Sequence, residues 1–512
     1  MSDSAQLLEE LTAFCQSDSL SEDGLREIIE RHGWRPNNPS VQNYYFFLAA
    51  CNNERVTEGI LRCILDNFPA ATTFPDLDGG TLNIICNNKN VTLGMVRLLL
   101  DAFPDLRREN INGRILYLHL LCGNKFLDEE VAIDILKLLL ERFPESARAT
   151  TENGEENTLP IHIAGSFHSP EFCRLLIEAY PGSECMAITD GGGLPFHLVC
   201  AHNTVATAKY LYSLYPDSIN LIAGNGAYPI HLAIARVTRR ANPADAIDMV
   251  QFLLDCNPDV VLQKMDGKLP LYWTCYGAIN ENTPTKLNAY LRILHILYDT
   301  HPEAIESESV TTNLDSFPQE IRTFISNHLT FARQARDQLF MTTPDENGQL
   351  PLHRVLRENV RLGSIKLLVK GNPSAIRNLD DNFTLLLYVA CQHHESGSVV
   401  QYLISRDSLA LEAVDRQGNT VLHYACRGAK YGTIALLLEK YGAVSVSKRN
   451  TQNQIPIDLL FESEAVIDRG GTEYTDSIYR LIRAHPETVM FSSNTNNECI
   501  SHNRKKRRRE AV

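Results

Sequence analysis

Short apolar blocks recur along this chain, most of them interrupted at the fourth position by one polar or aromatic residue. LPIHIA ends at Ala164, LPFHLVC at Cys200, YPIHLAI at Ile234, LPLYWTC at Cys275, LPLHRVL at Leu356, LLLYVAC at Cys391, TVLHYAC at Cys426 and IPIDLLF at Phe461. The fourth positions are His162, His197, His231, Tyr272, His353, Tyr388, His423 and Asp458, spaced by 35, 34, 41, 81, 35, 35 and 35 residues. Weaker copies place further anchors upstream at His119, Asn83 and Leu48, spaced by 43, 36 and 35. Eleven anchors on a period near 35 residues identify a repeat array, in which each repeat packs only on its neighbours.

Other residues keep the same register. Gly192, Gly226, Gly267, Gly348 and Gly418 each stand five residues before an anchor and follow Gly191, Asn225, Asp266, Asn347 and Gln417. Such pairs predict a tight hairpin turn with positive φ at both central residues. Pro160, Pro195, Pro229, Pro270, Pro351 and Pro456 stand two residues before their anchors and mark the first turn of a helix, where a missing N–H costs nothing. A second helix follows, with apolar residues at i, i+3, i+4 and i+7: Val96, Leu99, Leu100 and Phe103 in one repeat, and approximately Ile133, Leu136, Leu140 and Phe143 in the next. It closes at Pro69, Pro104, Pro144, Pro181, Pro216, Pro258, Pro302, Pro373 or Pro486, because proline pushes the preceding residue out of helical geometry.

Two regions break the period. The gap of 81 residues between Tyr272 and His353 holds a predicted helix from Pro318 to Phe340, opened by a capping box of Ser316 and Gln319, and is assigned to an inserted helix or a degenerate repeat. At the start, Ala5–Cys15 and Glu22–His32 are predicted as two helices that cap the array. The expected organisation is N-terminal capping helices over 1–42, a first block of repeats over 43–303, the insertion over 304–345, a second block over 346–495 and a disordered basic tail over 496–512.

A turn, a TPLH-like helix start, a short helix, a second helix with paired leucines and a return loop together resemble the ankyrin repeat. The nearest copy is DRQGNTVLHYACRGAKYGTIALLLEKYGA, Asp415 to Ala443, in which Thr420, Leu422, His423, Ala425, Leu437, Leu438, Gly442 and Ala443 match the family's pattern. The resemblance runs from about residue 43 to 495 and implies an all-α ankyrin-repeat solenoid of about eleven repeats. Most repeats depart from the family in ending on YPEA-like sequence and in carrying Leu or Tyr where it has Thr. The anchor histidines are therefore expected to bond backbone instead of threonine.

Composition narrows what the array can do. Hydrophobic residues make up 44% of the 512 and charged residues 21%, enough for a folded core. No stretch approaches the roughly 18 consecutive apolar residues of a membrane helix. The start MSDSAQLLEELT lacks the basic and apolar regions of a secretory leader, which predicts an intracellular chain. The net charge of −14 hides a division: residues 1–503 carry 42 bases against 61 acids, or −19, while Arg504, Lys505, Lys506, Arg507, Arg508 and Arg509 form one basic run. An acidic body repels phosphate backbones, so nucleic acid is expected only at the tail.

Candidate chemistry dissolves into the register. Cys51, Cys86, Cys122, Cys200, Cys275, Cys391 and Cys426 belong to the first helix of their repeats and act as small apolar filler. There is no Cys-x-x-Cys pair, so no metal site is expected. His393 and His394 are adjacent and are assigned to an exposed loop, and Glu129 and Glu130 to an exposed helix start without partners. No nucleophile, base and oxyanion donor assemble, so neither enzyme activity nor a cofactor is expected.

Function is left to the surface. The resemblance implies that partners meet the hairpin tips and the concave face of the first helices. At four and five residues past the anchors stand Arg236, Tyr276, Arg357, Gln392 and Arg427, assigned as partner-binding residues because arginine and tyrosine combine apolar contact with hydrogen bonding. The expected function is a non-catalytic protein-protein interaction scaffold. Arg504 to Arg509 are assigned as a nuclear localisation signal read by an import receptor, placing the protein in the nucleus, with the cytoplasm as alternative. The other class is a nucleic-acid-associated regulator whose tail contacts DNA or RNA.

Overall fold

The structure is a computed structural model that describes residues 3–36, 44–70, 80–103, 116–151, 157–188, 192–240, 242–346, 348–358, 360–377, 385–394, 397–442, 445–466, 471–484 and 486. Among them the regular elements are helices, joined by turns and one isolated antiparallel bridge between Met265 and Lys268. The chain divides into two compact bodies between Leu294 and His295.

In the first body, helices come in consecutive pairs. Asp3–Gln16 and Glu22–Arg31 lead. Then follow Tyr45–Asn52 with Glu58–Asn67, Gly80–Asn87 with Leu93–Ala102, Tyr117–Gly123 with Glu129–Arg142 and Pro160–Phe167 with Pro170–Ala179. Pro195–His202 pairs with Val205–Leu214, Pro229–Ala235 with Ala244–Cys256, and Pro270–Gly277 leads to the long helix Pro284–Thr300, in which the division between the bodies falls. First helices pack on first helices and second helices on second helices, the contact pattern of stacked repeats.

The second body repeats the scheme with Pro351–Arg357 and Leu362–Gly371, Leu386–His393 and Gly397–Arg406, Val421–Arg427 and Tyr431–Tyr441, and Pro456–Glu462 and Thr472–Ala484. Its additional helix, Gln319–Arg336, lies along Leu362–Gly371. The approach is close: a Cβ on Gly371 would stand 2.2 Å from the carbonyl oxygen of Ala335, so only glycine fits. The expected capping box does not form. Pro318 occupies the N-cap position in extended geometry, and the Ser316 hydroxyl donates instead to Asn313 O at 2.9 Å. The helix also ends before Phe340, because Asp337 accepts from the Phe340 N–H and starts the short helix Gln338–Thr342.

Local chemistry explains the repeat. All six anchor prolines are the first residue of their helix. Gly192, Gly226, Gly267, Gly348 and Gly418 all take positive φ, between 54° and 76°. Positive φ at both central residues occurs at Asp266-Gly267, where Met265 and Lys268 exchange two hydrogen bonds in a two-residue hairpin. At Asn225-Gly226 and Gln417-Gly418 only the glycine is left-handed, because these loops hold three residues, closed by Ala223 N to Ala227 O and by Asp415 N to Asn419 O. Asn453 takes the glycine's place in one later loop, at φ 63°.

The second helices bury one stripe. Val96, Leu99, Leu100 and Phe103 are buried as expected, but in the next repeat the buried face is Ala132, Ile135, Leu136 and Leu139, displaced from the expected Ile133 and Leu140. Pro144, Pro216, Pro258, Pro302 and Pro373 do more than stop a helix. Each opens a short 3₁₀ turn that returns a buried pair to the core: Ser146 and Ala147, Ser218 and Ile219, Val260 and Val261, Ala304 and Ile305, Ala375 and Ile376.

Candidate partner-binding surface

The last carbonyls of a helix have no partner within it, and here a side chain from the following repeat supplies one. Asn53 Nδ2 donates to Cys15 O and Ser17 O at 3.0 and 2.8 Å. Asn88 donates to Cys51 O and Asn53 O at 2.9 Å each, and Asn124 to Cys86 O and Asn88 O at 3.1 and 2.9 Å. Asn203 does the same for Gly165 O and His168 O at 3.0 and 2.7 Å. These asparagines stand five or six residues past their anchors, and the recurring Cys-Asn-Asn at 51–53 and 86–88 is the signal that marks them in the sequence.

One repeat further the cap changes identity. Arg240, only 9% exposed, donates from Nη1 to Asn203 O and from Nη2 to Cys200 O, both at 2.6 Å. A cation suits the negative end of the helix dipole of Pro195–His202. Nothing periodic announces this residue, because the 41-residue spacing puts it nine positions past His231.

The anchor histidines bond backbone, as expected for repeats without threonine. Nδ1 of His162, His197, His231 and His353 accepts from the N–H of Leu159, Leu194, Tyr228 and Leu350 at 3.1 to 3.3 Å. Nε2 of His162 and His197 meets Met186 O and Leu221 O in the next hairpin, at 2.9 and 3.0 Å. His423, preceded by Thr420, keeps the threonine contact at 2.9 Å. Asp458 stands in for histidine by accepting from the Ile455 N–H at 3.0 Å. Burial pulls His162 and His231 down to about 4 and lowers His197 and His423 too, so these imidazoles are neutral at neutral pH.

Cys51, Cys86, Cys122, Cys200, Cys275, Cys391 and Cys426 are all buried in first helices. Burial raises their thiols well above the ordinary value. Among the described residues no three His, Cys, Asp or Glu side chains gather as a metal set, and no helix is long and apolar enough to cross a membrane.

Two sequence assignments are corrected. His394 is not on an exposed loop; it is buried and its Nε2 meets Val360 O at 2.8 Å, tying one repeat to the one before. Glu129 has partners, accepting from His168 Nδ1 at 2.9 Å and from the Ser169 N–H at 2.8 Å. Burial alone would raise its carboxyl, but these hydrogen bonds outweigh it and hold Glu129 at about 2.

The five assigned partner-binding residues fall into two groups. In the first body Arg236 caps Pro229–Ala235 and Tyr276 is the penultimate residue of Pro270–Gly277, the next first helix, where it is 52% exposed, stacks on Tyr272 and meets Trp273 edge-on. In the second body Arg357, Gln392 and Arg427 lie at the ends of successive first helices. Arg357 is held by Gln349 at 2.7 Å, and Arg427 lies over the Tyr424 ring at 5.6 Å. A Cβ on Gly428 would meet Gln392 O at 2.0 Å, so these two helix ends nearly touch. Residues 504–509 lie outside the described residues.

Beside the helix ends, a polar network fills the hairpins of the second body. Asp415 accepts from the Asn419 N–H, Asn419 Nδ2 and the Tyr424 hydroxyl at 2.7, 2.9 and 2.7 Å. Asn450 Nδ2 carries it to the next hairpin through Asn419 Oδ1 at 3.0 Å.

The comparisons agree with this architecture. Residues 352–450 match the ankyrin repeat family in three copies, so that segment carries ankyrin repeats, and the fold class is the all-α ankyrin-repeat solenoid. Over 124 residues the chain is 24% identical to the probable 26S proteasome regulatory subunit p28 of Saccharomyces cerevisiae. That match covers 24% of this chain and half the length of that curated relative. Ankyrin repeats are protein-interaction modules, and residues 352–450 carry three of them.

Proposed function

We propose that this ankyrin-repeat chain is a non-catalytic scaffold that binds protein partners on the ends of its first helices. The observation that carries the reading is a division of labour. Asn53, Asn88, Asn124, Asn203 and Arg240 are consumed in holding repeats together, while the side chains of Arg236 and Tyr276 beside them make no hydrogen bond or ion pair among the described residues. Side chains of that kind, left free on a rigid scaffold, are what a partner uses. Likeness to a proteasome regulatory subunit supports protein partners in general.

The test is affinity capture with the full chain and with Tyr276→Ala/Arg357→Ala. Loss of specific partners from the variant supports the surface; identical recovery at identical levels overturns it.

For the tail, the six bases from Arg504 to Arg509 support nuclear import through an import receptor. A fluorescent fusion lacking residues 504–509 is expected to stay in the cytoplasm, and nuclear entry equal to the intact chain overturns the assignment. The same bases support contact with DNA or RNA as a second reading. Salt-dependent binding that disappears with residues 504–509 is its signature.

A further inference from the structure

Four consecutive first helices of the first body end in a row of side chains that make no side-chain hydrogen bond or ion pair among the described residues. Pro160–Phe167 ends on Phe167, 49% exposed; Pro195–His202 ends on His202, also exposed; Arg236 follows Ala235; and Tyr276 closes the row. The four helices pack in that order. The exposed Arg239 ends the 3₁₀ turn Val237–Arg239 that follows Arg236.

The middle of the row is a concentration of positive charge. Arg240 reaches the carbonyls of Cys200 and Asn203 on either side of His202, Arg236 and Arg239 lie in the turn that leads to Arg240, and partial burial and then Arg236, Arg240 and Arg239 lower the His202 imidazole. Arg240 is spent on the carbonyls of Cys200 and Asn203, which fixes the cluster in place. Arg236 and Arg239 have no carboxylate partner among the described residues. Asp245, the acid whose charge is felt at Arg240, accepts from Asn242 Nδ2 at 3.0 Å. On a chain of net charge −14, a cation cluster left unneutralised calls for an anion from outside.

We infer that the row Phe167, His202, Arg236, Arg239 and Tyr276 is a binding site for an extended acidic peptide segment with apolar side chains at both ends. The inference rests on the scaffold reading and supplies the chemistry of its partner. Carboxylates meet Arg236 and Arg239, where bidentate guanidinium pairing is available. Apolar residues meet the exposed rings of Phe167 and Tyr276. Neighbouring helices lie about 10 Å apart, so the row spans about 30 Å, the reach of roughly nine extended residues. A polynucleotide fits less well, because its charge continues past the row onto an acidic body.

The experiment uses the full chain and a fluorescein-labelled peptide of about nine residues with Leu near each end and four Glu between. Expected outcomes are saturable binding, about tenfold weaker binding when the four Glu are Gln, and a similar loss in Arg236→Glu/Arg239→Glu. Arg236→Gln/Arg239→Gln, checked for an unchanged thermal melt, separates loss of charge from loss of fold. The His202 imidazole pKa, followed by NMR, rises in the complex as a carboxylate arrives. No binding, equal binding of the Gln peptide, equal binding by the double variants, or tighter Arg236-dependent binding of single-stranded DNA each overturns the inference. If lysate capture by the full chain still depends on Tyr276 and Arg357 while the peptide fails, the scaffold reading stands and this one falls.

Discussion

Residues 44–240 and residues 415–463 run on nearly the same period but are joined in different places. In the former, the joints are at the ends of the first helices, where Asn53, Asn88, Asn124, Asn203 and Arg240 reach back to carbonyls of the preceding repeat. In the latter, Ser463 Oγ makes a similar reach to Arg427 O, but the hairpins add the network of Asp415, Asn419, Tyr424 and Asn450. The second arrangement accompanies Thr420 and His423 and falls largely within the segment that matches the ankyrin family. Where the hairpin carries less of the connection, the helix ends carry more, and the side chains beside those ends become the natural place for specificity. Period alone therefore does not say where a repeat is fastened.

Acid should break the first region most. His162 and His231 are fully buried and held at about 4, against an ordinary 6.5. Both folded values lie below the unfolded one, so the unfolded chain takes up protons first. Their share of stability is whole above about pH 6.5 and is lost as pH falls toward 4, roughly 2 kcal/mol for each by pH 5. Urea unfolding at pH 7 and pH 5 measures it. His162→Asn/His231→Asn should flatten that dependence, and an unchanged slope would show that these imidazoles do not govern it.

Next in size is Arg240→Ala, expected to cost about 3 kcal/mol, since it strips two carbonyls and leaves a cavity. Arg240→Asn should not rescue it, because the shorter side chain does not span the 41-residue repeat; full rescue would erase the distinction between the two kinds of cap.

Asn124→Ala is expected to cost about 2 kcal/mol. Hydrogen exchange should rise locally in Gly80–Asn87 and Tyr117–Gly123, whereas Asp415→Ala should raise it in Val421–Arg427 and the adjoining hairpins. Uniform exchange in either variant would mean that the joints are not local.

Smallest is Thr420→Val, which removes the hydroxyl from His423 Nδ1 but leaves the backbone N–H on it, at an expected cost of about 1 kcal/mol in chemical denaturation. A negligible cost would make His423 equivalent to His162 and His197, which work beside leucine.

Much of the architecture is written locally. Proline two residues before an anchor sets a helix start, glycine five before it sets a left-handed turn, and cysteine past it fills the first helix. The candidate surface is legible only in part. Arg236 and Tyr276 follow from register, but Phe167, His202 and Arg239 acquire meaning only beside them. His394 and Glu129 depart from the exposed placement their sequence suggests because their partners, Val360 and His168, lie 34 and 39 residues away.

The sequence by itself determined the repeat, because turn geometry, helix starts and apolar stripes are settled by residues a few positions apart. Only the tertiary structure decided which polar side chains fasten the repeats and which stay free. A cap is defined by the carbonyl it reaches, and that carbonyl lies at or just past the end of a helix 35 to 40 residues earlier. No local pattern distinguishes Arg240, buried on two such carbonyls, from Arg239 beside it, exposed and unspent.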